Sequence, residues 1–372
     1  MSERSYWLGF SSFSGIGPSK FTKLLSEFGT AKNTWDASFS DLEKVLGKAW
    51  TPKFTEFRNK FSIPDYEAKL KKARVSFLIL TDENYPKLLS KIKKPPFVLY
   101  YKGNIEILRC AQNDKSIAIV GTRRITEYGK QVTQDLTSDL VNNGFVIVSG
   151  LALGVDAAAH KTTIINKGKT IAVLGCGVDC CYPRENQNIY NIILENGGAI
   201  VSEYPLGEAP SKGSFPSRNR IISGLSQGVL VTEGAADSGA LYTAADAFEN
   251  GRPVFAVPGP ITSSLSKGPH GLISKGAKLI SGSEEIIQEL GLEKNINDTK
   301  GTTHSASSGR ASIKGSTREE QMIIDLLENE SRHFDEIVKL SKIKSSRLGG
   351  ILSVMEMKGL IRSHEAGVFN LS

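Results

Sequence analysis

The stretch SIAIVGTRRIT, residues 116–126, decides the fold. Ser116–Val120 is a short apolar run rich in β-branched side chains, which reads as a strand buried on both faces. Gly121-Thr122-Arg123-Arg124 then turns the chain, and a helical pattern opens near Thr126. The same texture recurs downstream. Phe145–Val148, Thr170–Leu174, Gly228–Thr232 and Pro253–Val257 are further strand-like runs bounded by Gly or Ser, with helical lengths between most of them. Strands alternating with helices predict βαβ units and an extended Rossmann-like parallel sheet over residues 75–292.

Two different textures flank this α/β region. Residues 1–74 show helical spacing in short pieces, Lys20–Phe28, Ser40–Leu46 and Tyr66–Ala73, and are read as a small helical domain. Gly15-Ile16-Gly17-Pro18 within it looks like a helix-hairpin-helix turn. Such a turn can hold a phosphate or be purely architectural. Residues 293–316 are polar and lack the large apolar side chains a core needs, so a flexible linker is expected. Residues 317–372 resume order. Glu319–Glu328, His333–Leu340 and Ser345–Lys358 are expected helices, and Leu360–Arg362 with Val368–Leu371 an expected hairpin about a Glu365–Gly367 turn. Three helices and a hairpin spell a winged helix.

Composition narrows the class of function. With 372 residues, 40% of them hydrophobic and 23% charged, the chain is long enough for two or three soluble globular domains. Neither a signal-like apolar start nor a run of membrane-spanning length is present, so a cytoplasmic protein with no membrane partner is expected. The net charge of +7 suits a polyanion without demanding one. Much of the excess lies in residues 1–74, with thirteen Lys or Arg against eight Asp or Glu. From Thr317 onward eight basic residues face nine acidic ones, poor for autonomous duplex binding, although Lys339, Lys342, Lys344 and Arg347 give the recognition helix local basicity. The four cysteines, Cys110, Cys176, Cys180 and Cys181, lack metal-ligand spacing and are expected to be unpaired thiols.

The strand-end loops carry the chemistry. Gly121-Thr122-Arg123-Arg124 opens a helix, where backbone N–H groups attract an anion and Arg adds a bidentate clamp. Ser149-Gly150-Leu151-Ala152-Leu153-Gly154 and Gly175-Cys176-Gly177-Val178-Asp179 follow the next two strands. Loops at the carboxyl ends of parallel strands converge on one crevice, which predicts a shared phosphate site. The ligand is not a dinucleotide, because Cys180 stands where the last glycine of G-x-G-x-x-G belongs. Nor does Gly168-Lys169-Thr170 make a P-loop, since it runs into a strand. Gly224-x-Ser226-x-Gly228 lies between a helix and a strand, the wrong order for a nucleophile elbow. Asp156 and His160, four apart on one helix face, are read as a buried structural hydrogen bond rather than an acid/base or metal pair. No cofactor or metal is expected. What remains is cationic: Arg123, Arg124, Arg184, Arg218 and Arg220 lie in or beside these loops, with Phe215 and Tyr182 among them. Phosphate neutralisation interleaved with stacking faces is what a single strand needs.

These loops also form a signature. VGTRRITEYG, SGLALGVDAAAH, TIAVLGCGVDCCYPRENQNIY and SEYPLGEAPSKGSFPSRNRIISGLS occur in the order found in the DNA-processing protein A (DprA/Smf) family, as do SGALYTAADAFENGRPVFAVPG and GPHGLISKGAKLI. The resemblance covers roughly residues 80–290. It implies an extended Rossmann fold behind a SAM-like helical domain, often with a C-terminal winged helix. It also implies a non-catalytic, single-stranded-DNA-binding homodimer that helps load RecA during natural transformation. Carried over by motif, the DNA clamp falls on Gly121, Thr122 and Arg123, and a further basic contact on Arg184. With Arg124, Ser149, Gly150, Phe215, Arg218 and Arg220 these make up the expected DNA site. The implied dimer surface falls on His270, Leu272, Leu279 and Ile280. Two departures stand out: Arg184 replaces a family lysine, and Glu233-Gly234-Ala235-Ala236 alters the loop after Gly228–Thr232. The competing reading is a Rossmann-like nucleotide phosphoribohydrolase of the LOG type, with Glu233 and Asp237 as candidate acids but without its P-G-G-x-G-T cradle.

Overall fold

The computed structural model describes residues 1–108, 115–291, 317–327, 330–358, 360–364 and 367–371. The expected linker at 293–316, Cys110, and Glu365 and Ala366 of the expected turn lie outside the described residues. The chain divides into two compact units, with the break between Ile296 and Asn297.

The first unit opens with six helices: α1 Glu3–Ser11, α2 Pro18–Phe28, α3 Ala31–Asp36, α4 Phe39–Leu46, α5 Thr51–Lys60 and α6 Ile63–Lys72. Their starts follow local chemistry. The Ser2, Thr30, Ser38 and Ser62 side chains each accept an N–H of the first turn, and Pro18 stands at the first position of α2. Trp7, Phe10, Phe21 and Phe54 bury their rings and pack edge-on, tilted or stacked. These helices share one core with the sheet, since the same cluster runs on through Phe97, Tyr100, Ala172 and Ile200.

A nine-stranded sheet follows. Its strands are β1 Ser76–Ile79, β2 Val98–Gly103, β3 Ser116–Val120, β4 Val146–Ser149, β5 Thr170–Val173, β6 Ala199–Ser202, β7 Gly228–Val231, β8 Val254–Ala256 and β9 Lys278–Leu279, in the order β1-β2-β6-β5-β4-β3-β7-β8-β9. From β6 to β9 every pairing is parallel. The expected parallel sheet is present and carries an antiparallel edge, where β2 runs antiparallel to both β6 and β1. No crossover helix is needed there, so the alternating pattern that marked the other strands is missing. Helices α7 Lys87–Ser90, α8 Glu127–Asn142, α9 Val155–Ile165, α10 Gln187–Glu195, α11 Ser214–Gly224, α12 Ala240–Glu249, α13 Lys267–Ile273 and α14 Ser283–Glu289 lie among these strands. Along β3, Ile117 and Ile119 pack with Leu136 and Leu140 of α8, while Ala118 and Val120 pack with Ile221, Ile222 and Ala244 of α11 and α12. Both faces are covered, which is why this strand is a continuous apolar run.

The second unit contains α15 Arg318–Leu327, α16 Phe334–Ser341 and α17 Ser345–Met357, with strands β10 Arg332–His333, β11 Ile361–His364 and β12 Val368–Leu371. The strands pair in the order β10-β12-β11, so the expected hairpin gains a third, two-residue strand. Ile323, Ile337, Leu348, Leu352 and Met355 form its core. Helix–helix–helix with a β-wing is the winged-helix arrangement.

Two expectations change at the residue level. Leu272 and Ile280 are core residues, 6% and 0% exposed, and cannot form a dimer surface. Leu279 beside them, on the edge strand β9, is 48% exposed. Asp156 and His160 do take buried structural hydrogen bonds, but not with each other. Asp156 accepts the Gly150 and Ala152 N–H groups. His160 Nδ1 lies 2.8 Å from Thr170 Oγ1, whose proton goes to the Ile147 carbonyl. Thr170 must therefore accept, and His160 is the Nδ1–H tautomer.

Burial, reinforced by the Arg218 charge, pushes the His160 imidazole down to about 3. A second proton would sit on Nε2, which is buried and has no hydrogen-bond partner among the described residues. The unfolded chain takes up that proton near pH 6.5, the folded one does not. Stability from this group is therefore complete above about pH 6.5 and falls by about 1.4 kcal/mol per pH unit below it. Histidine-detected NMR should show the His160 ring still neutral at pH 5, and a ring titrating near 6.5 in the folded protein would contradict its placement.

Candidate nucleic-acid interface

The strand order reverses beside β3: β4, β5 and β6 succeed it on one side, β7 and β8 on the other. The loops leaving β3 and β7 therefore part at a topological switch point, and a crevice of about 660 Å³ opens there. Its floor comes from Val120, Gly121 and Thr122, its walls from the start of α11 and from the 235–243 segment.

Sequence sets this geometry through two close approaches. Gly154 has φ +76°, and a Cβ there would stand 2.2 Å from the Thr122 carbonyl oxygen. A Cβ on Gly121 would stand 2.6 Å from the Glu233 carbonyl oxygen. Only glycine lets the loops after β3, β4 and β7 meet this closely. Leu151, between them, is left-handed at φ +59° with a fully buried side chain. Asn186 holds its carbonyl at 2.8 Å and that of Ala152 at 3.1 Å, which fastens the 182–186 loop to the end of β4.

The anion site expected at the α8 N-terminus is already filled by the protein itself. Glu233, 5% exposed, accepts the Thr126 N–H at 3.0 Å and the Thr126 hydroxyl at 2.6 Å. Its own carbonyl accepts the Thr122 N–H at 2.7 Å, and Thr122 Oγ1 accepts the Arg124 N–H at 3.1 Å. The Thr122, Arg124 and Thr126 amides are thus engaged within the protein, which gives the exposed side chains the larger part in meeting an anion. The same contacts make Glu233 a capping residue rather than the free acid a phosphoribohydrolase would need.

The five arginines separate into two groups. Arg218 is 5% exposed and donates to the Gly150 carbonyl at 2.6 Å, to the Val173 carbonyl, and to Asn219 Oδ1 at 3.2 Å. It ties the ends of β4 and β5 to α11, so its expected contact with DNA is corrected to a structural role. Burial lowers its guanidinium, offset by Asp156, and burial raises the Asp156 carboxyl, offset by Arg218. Arg220 forms an ion pair with Glu203 and faces away from the crevice. Ser149 is fully buried, donating to the Ile119 carbonyl at 2.7 Å, and Gly150 is buried under the Arg218 guanidinium. Ser149, Gly150 and Arg220 do not line the crevice, and Arg218 lines it with its guanidinium already committed to the Gly150 and Val173 carbonyls.

Arg123, Arg124 and Arg184 are exposed. Arg123 sits over the Phe215 ring, 5.6 Å from its centroid, and Phe215 in turn lies 5.4 Å from Tyr182. Arg123 and Arg124 line the crevice without a carboxylate partner among the described residues. Arg184 stands on a short 3-10 turn two residues beyond Tyr182, outside the crevice lining. Sequence reasoning missed Lys212 and Tyr242, both of which line the crevice. Lys212 was visible as a cation just before α11. Tyr242, 59% exposed on α12, carried no signal apart from helical position.

Such a crevice defines a Rossmann-type α/β protein with a cationic, aromatic-sided switch-point site. The family described as DNA recombination-mediator protein A matches residues 76–291, and the DprA winged helix domain matches residues 308–367. The Smf protein of Synechocystis is 39% identical over 292 residues, 78% of this chain and 73% of its own. DNA processing protein A of Streptococcus pneumoniae has a similar solved structure, with TM-score 0.65 and 35% identity over 78% of this chain and 98% of that one. A second is DNA processing protein A of Helicobacter pylori, solved for its single-stranded DNA binding mode, with TM-score 0.52 and 37% identity over 58% of this chain and 95% of that one. The chain belongs to the DNA-processing protein A (DprA/Smf) family of DNA recombination mediators.

Replacing Arg218 with Met should cost about 3–5 kcal/mol in denaturant unfolding, because Asp156 is left as an uncompensated buried charge. Replacing exposed Arg124 with Ala should change stability by less than about 0.5 kcal/mol.

Proposed function

We propose that the chain binds single-stranded DNA in the switch-point crevice and acts, without catalysis, as a cytoplasmic recombination mediator that loads RecA, including during natural transformation. The observation that carries this reading is Arg123, an exposed cation with no carboxylate partner among the described residues, held over Phe215 beside Tyr182. Arg123, Arg124 and Lys212 neutralise phosphates, while Phe215, Tyr182 and Tyr242 offer faces for bases. Arg184 extends the cationic track beyond the crevice. Proteins similar to this chain are DNA processing proteins, one of them solved for its single-stranded DNA binding mode.

No helix among the described residues is long and apolar enough to cross a membrane. A homodimer is proposed through Leu279 and His270, of which Leu279 offers an exposed apolar side chain on the edge strand β9. The winged helix carries local basicity on a near-neutral unit and serves protein contact or weak DNA assistance.

In a salt titration, Arg123→Ala should weaken binding to an oligonucleotide and lower the slope of log affinity against log salt by roughly 0.7 for each lost phosphate contact. An unchanged affinity and slope in the folded variant would remove the site. The wild-type protein should favour single strand over duplex, and equal affinity for both would shift the assignment to the winged helix. Leu279→Asp should yield monomers by light scattering, whereas persistent dimers would place the interface elsewhere.

A further inference from the structure

Helix α11 has two working flanks. Phe215, Arg218, Asn219 and Ile222 face the switch-point crevice, while Ser217 and Arg220, one turn apart, face a second cavity of about 370 Å³. This cavity lies between the carboxyl end of β6, the start of β2 and the α1–α2 turn, and the proposed DNA site makes no use of it. Its walls are Phe13, Ile16, Pro18, Phe97 and Tyr204. Its polar groups are Arg220, Glu203, Lys94 and Glu208.

The charges decide the ligand. Two cations face two carboxylates, and Arg220 and Glu203 already pair with each other. A phosphate therefore finds no net attraction here, in contrast to the switch-point crevice with Arg123, Arg124 and Lys212. Hydrogen-bonding capacity remains. Arg220 Nη1 is buried and has no hydrogen-bond partner among the described residues. The carboxylate of Glu203 has acceptor sites beyond the one engaged by Arg220. Apolar and aromatic walls with a few convergent donors and acceptors suit a flat, neutral, polar-edged ring.

We infer that this second cavity receives a nucleobase of the same strand whose backbone lies in the switch-point crevice. The two sites flank one helix, about 10 Å across, a width that a short run of nucleotides spans. The base enters past Ser14 and Lys94, which are exposed at the cavity. Its ring lies against the aromatic walls, and its edge meets Arg220 and Glu203. Gly15-Ile16-Gly17-Pro18 supplies part of the apolar wall rather than a phosphate cradle. This assignment rests on the single-strand reading above.

The test compares two strands of equal length, one of thymidines and one of abasic sugar-phosphates, on the full chain and on two blocking variants. Ser217→Phe and Ser14→Trp both start from exposed positions, so the fold should survive, as melting would show. Each should weaken the base-bearing strand by roughly ten-fold, the scale of one lost base-aromatic contact. Each should leave the abasic strand and the salt slope unchanged. Overturning results are an unaffected base-bearing strand in both folded variants, or equal loss on both strands. If the wild-type protein binds neither strand, the single-strand reading and this one fall together. If it binds both and Arg123→Ala weakens both while the blocking variants change nothing, only the second cavity is removed.

Discussion

The buried guanidinium of Arg218 is the contact on which the site depends. It reaches from α11 to the carbonyl ends of β4 and β5 and balances the buried carboxylate of Asp156. Asp156 in turn holds the N–H groups of Gly150 and Ala152, the loop that leaves β4. A parallel sheet places several strand-end carbonyls side by side at this edge, and the loops above them diverge at the switch point. One buried cation with three oxygen acceptors fixes where these loops stand relative to α11. Phe215, three residues earlier on the same helix, is thereby set opposite Arg123.

A second internal charge does the complementary work. Glu233 caps α8 with its carboxylate and holds Thr122 through its carbonyl. The positive end of that helix is thus satisfied from within. Between them, Arg218 and Glu233 neutralise what the sheet edge and the helix start would otherwise present. The cations left over, Arg123, Arg124 and Lys212, are those a polyanion can use. That partition also argues against chemistry at the crevice, because Glu233 is committed to capping. Asp237 remains exposed there, with no glycine cradle beside it.

How much of this was legible beforehand follows from the same physics. The central strands and their helices were readable because burial on both faces demands unbroken apolar runs, and right-handed crossovers demand helices between them. The antiparallel edge was not readable, since β2 pairs antiparallel with β1 and β6 and needs no crossover helix to mark it. β6 was overlooked although Ala199–Ser202 is as buried as β3. Arginine posed the hardest problem. Five of them cluster in the strand-end loops, and sequence spacing treats them alike. Only the folded structure shows that Arg218 points into the sheet edge, that Arg220 meets Glu203, and that Arg123 faces outward. The same holds for Ile280 against Leu279, where one residue of register at an edge strand decides between core and surface, while Leu272 is buried from the helix α13.

The separation of α11 into two flanks gives the arrangement a direction. Its first turn carries Phe215 toward the cationic crevice and Ser217 toward the second cavity. Arg218 and Arg220, two positions apart, likewise point to opposite sides of the helix, one balancing Asp156 and the other Glu203. Each flank is therefore anchored by its own buried charge pair on the helix that both cavities share. A strand engaged on the Arg123 side would meet a second wall already held in place by the helices before residue 75, whose core is continuous with β2 and β6. On this view the N-terminal helices are a rigid half of the binding surface, because their aromatic packing fixes Phe13 and Phe97 at the cavity.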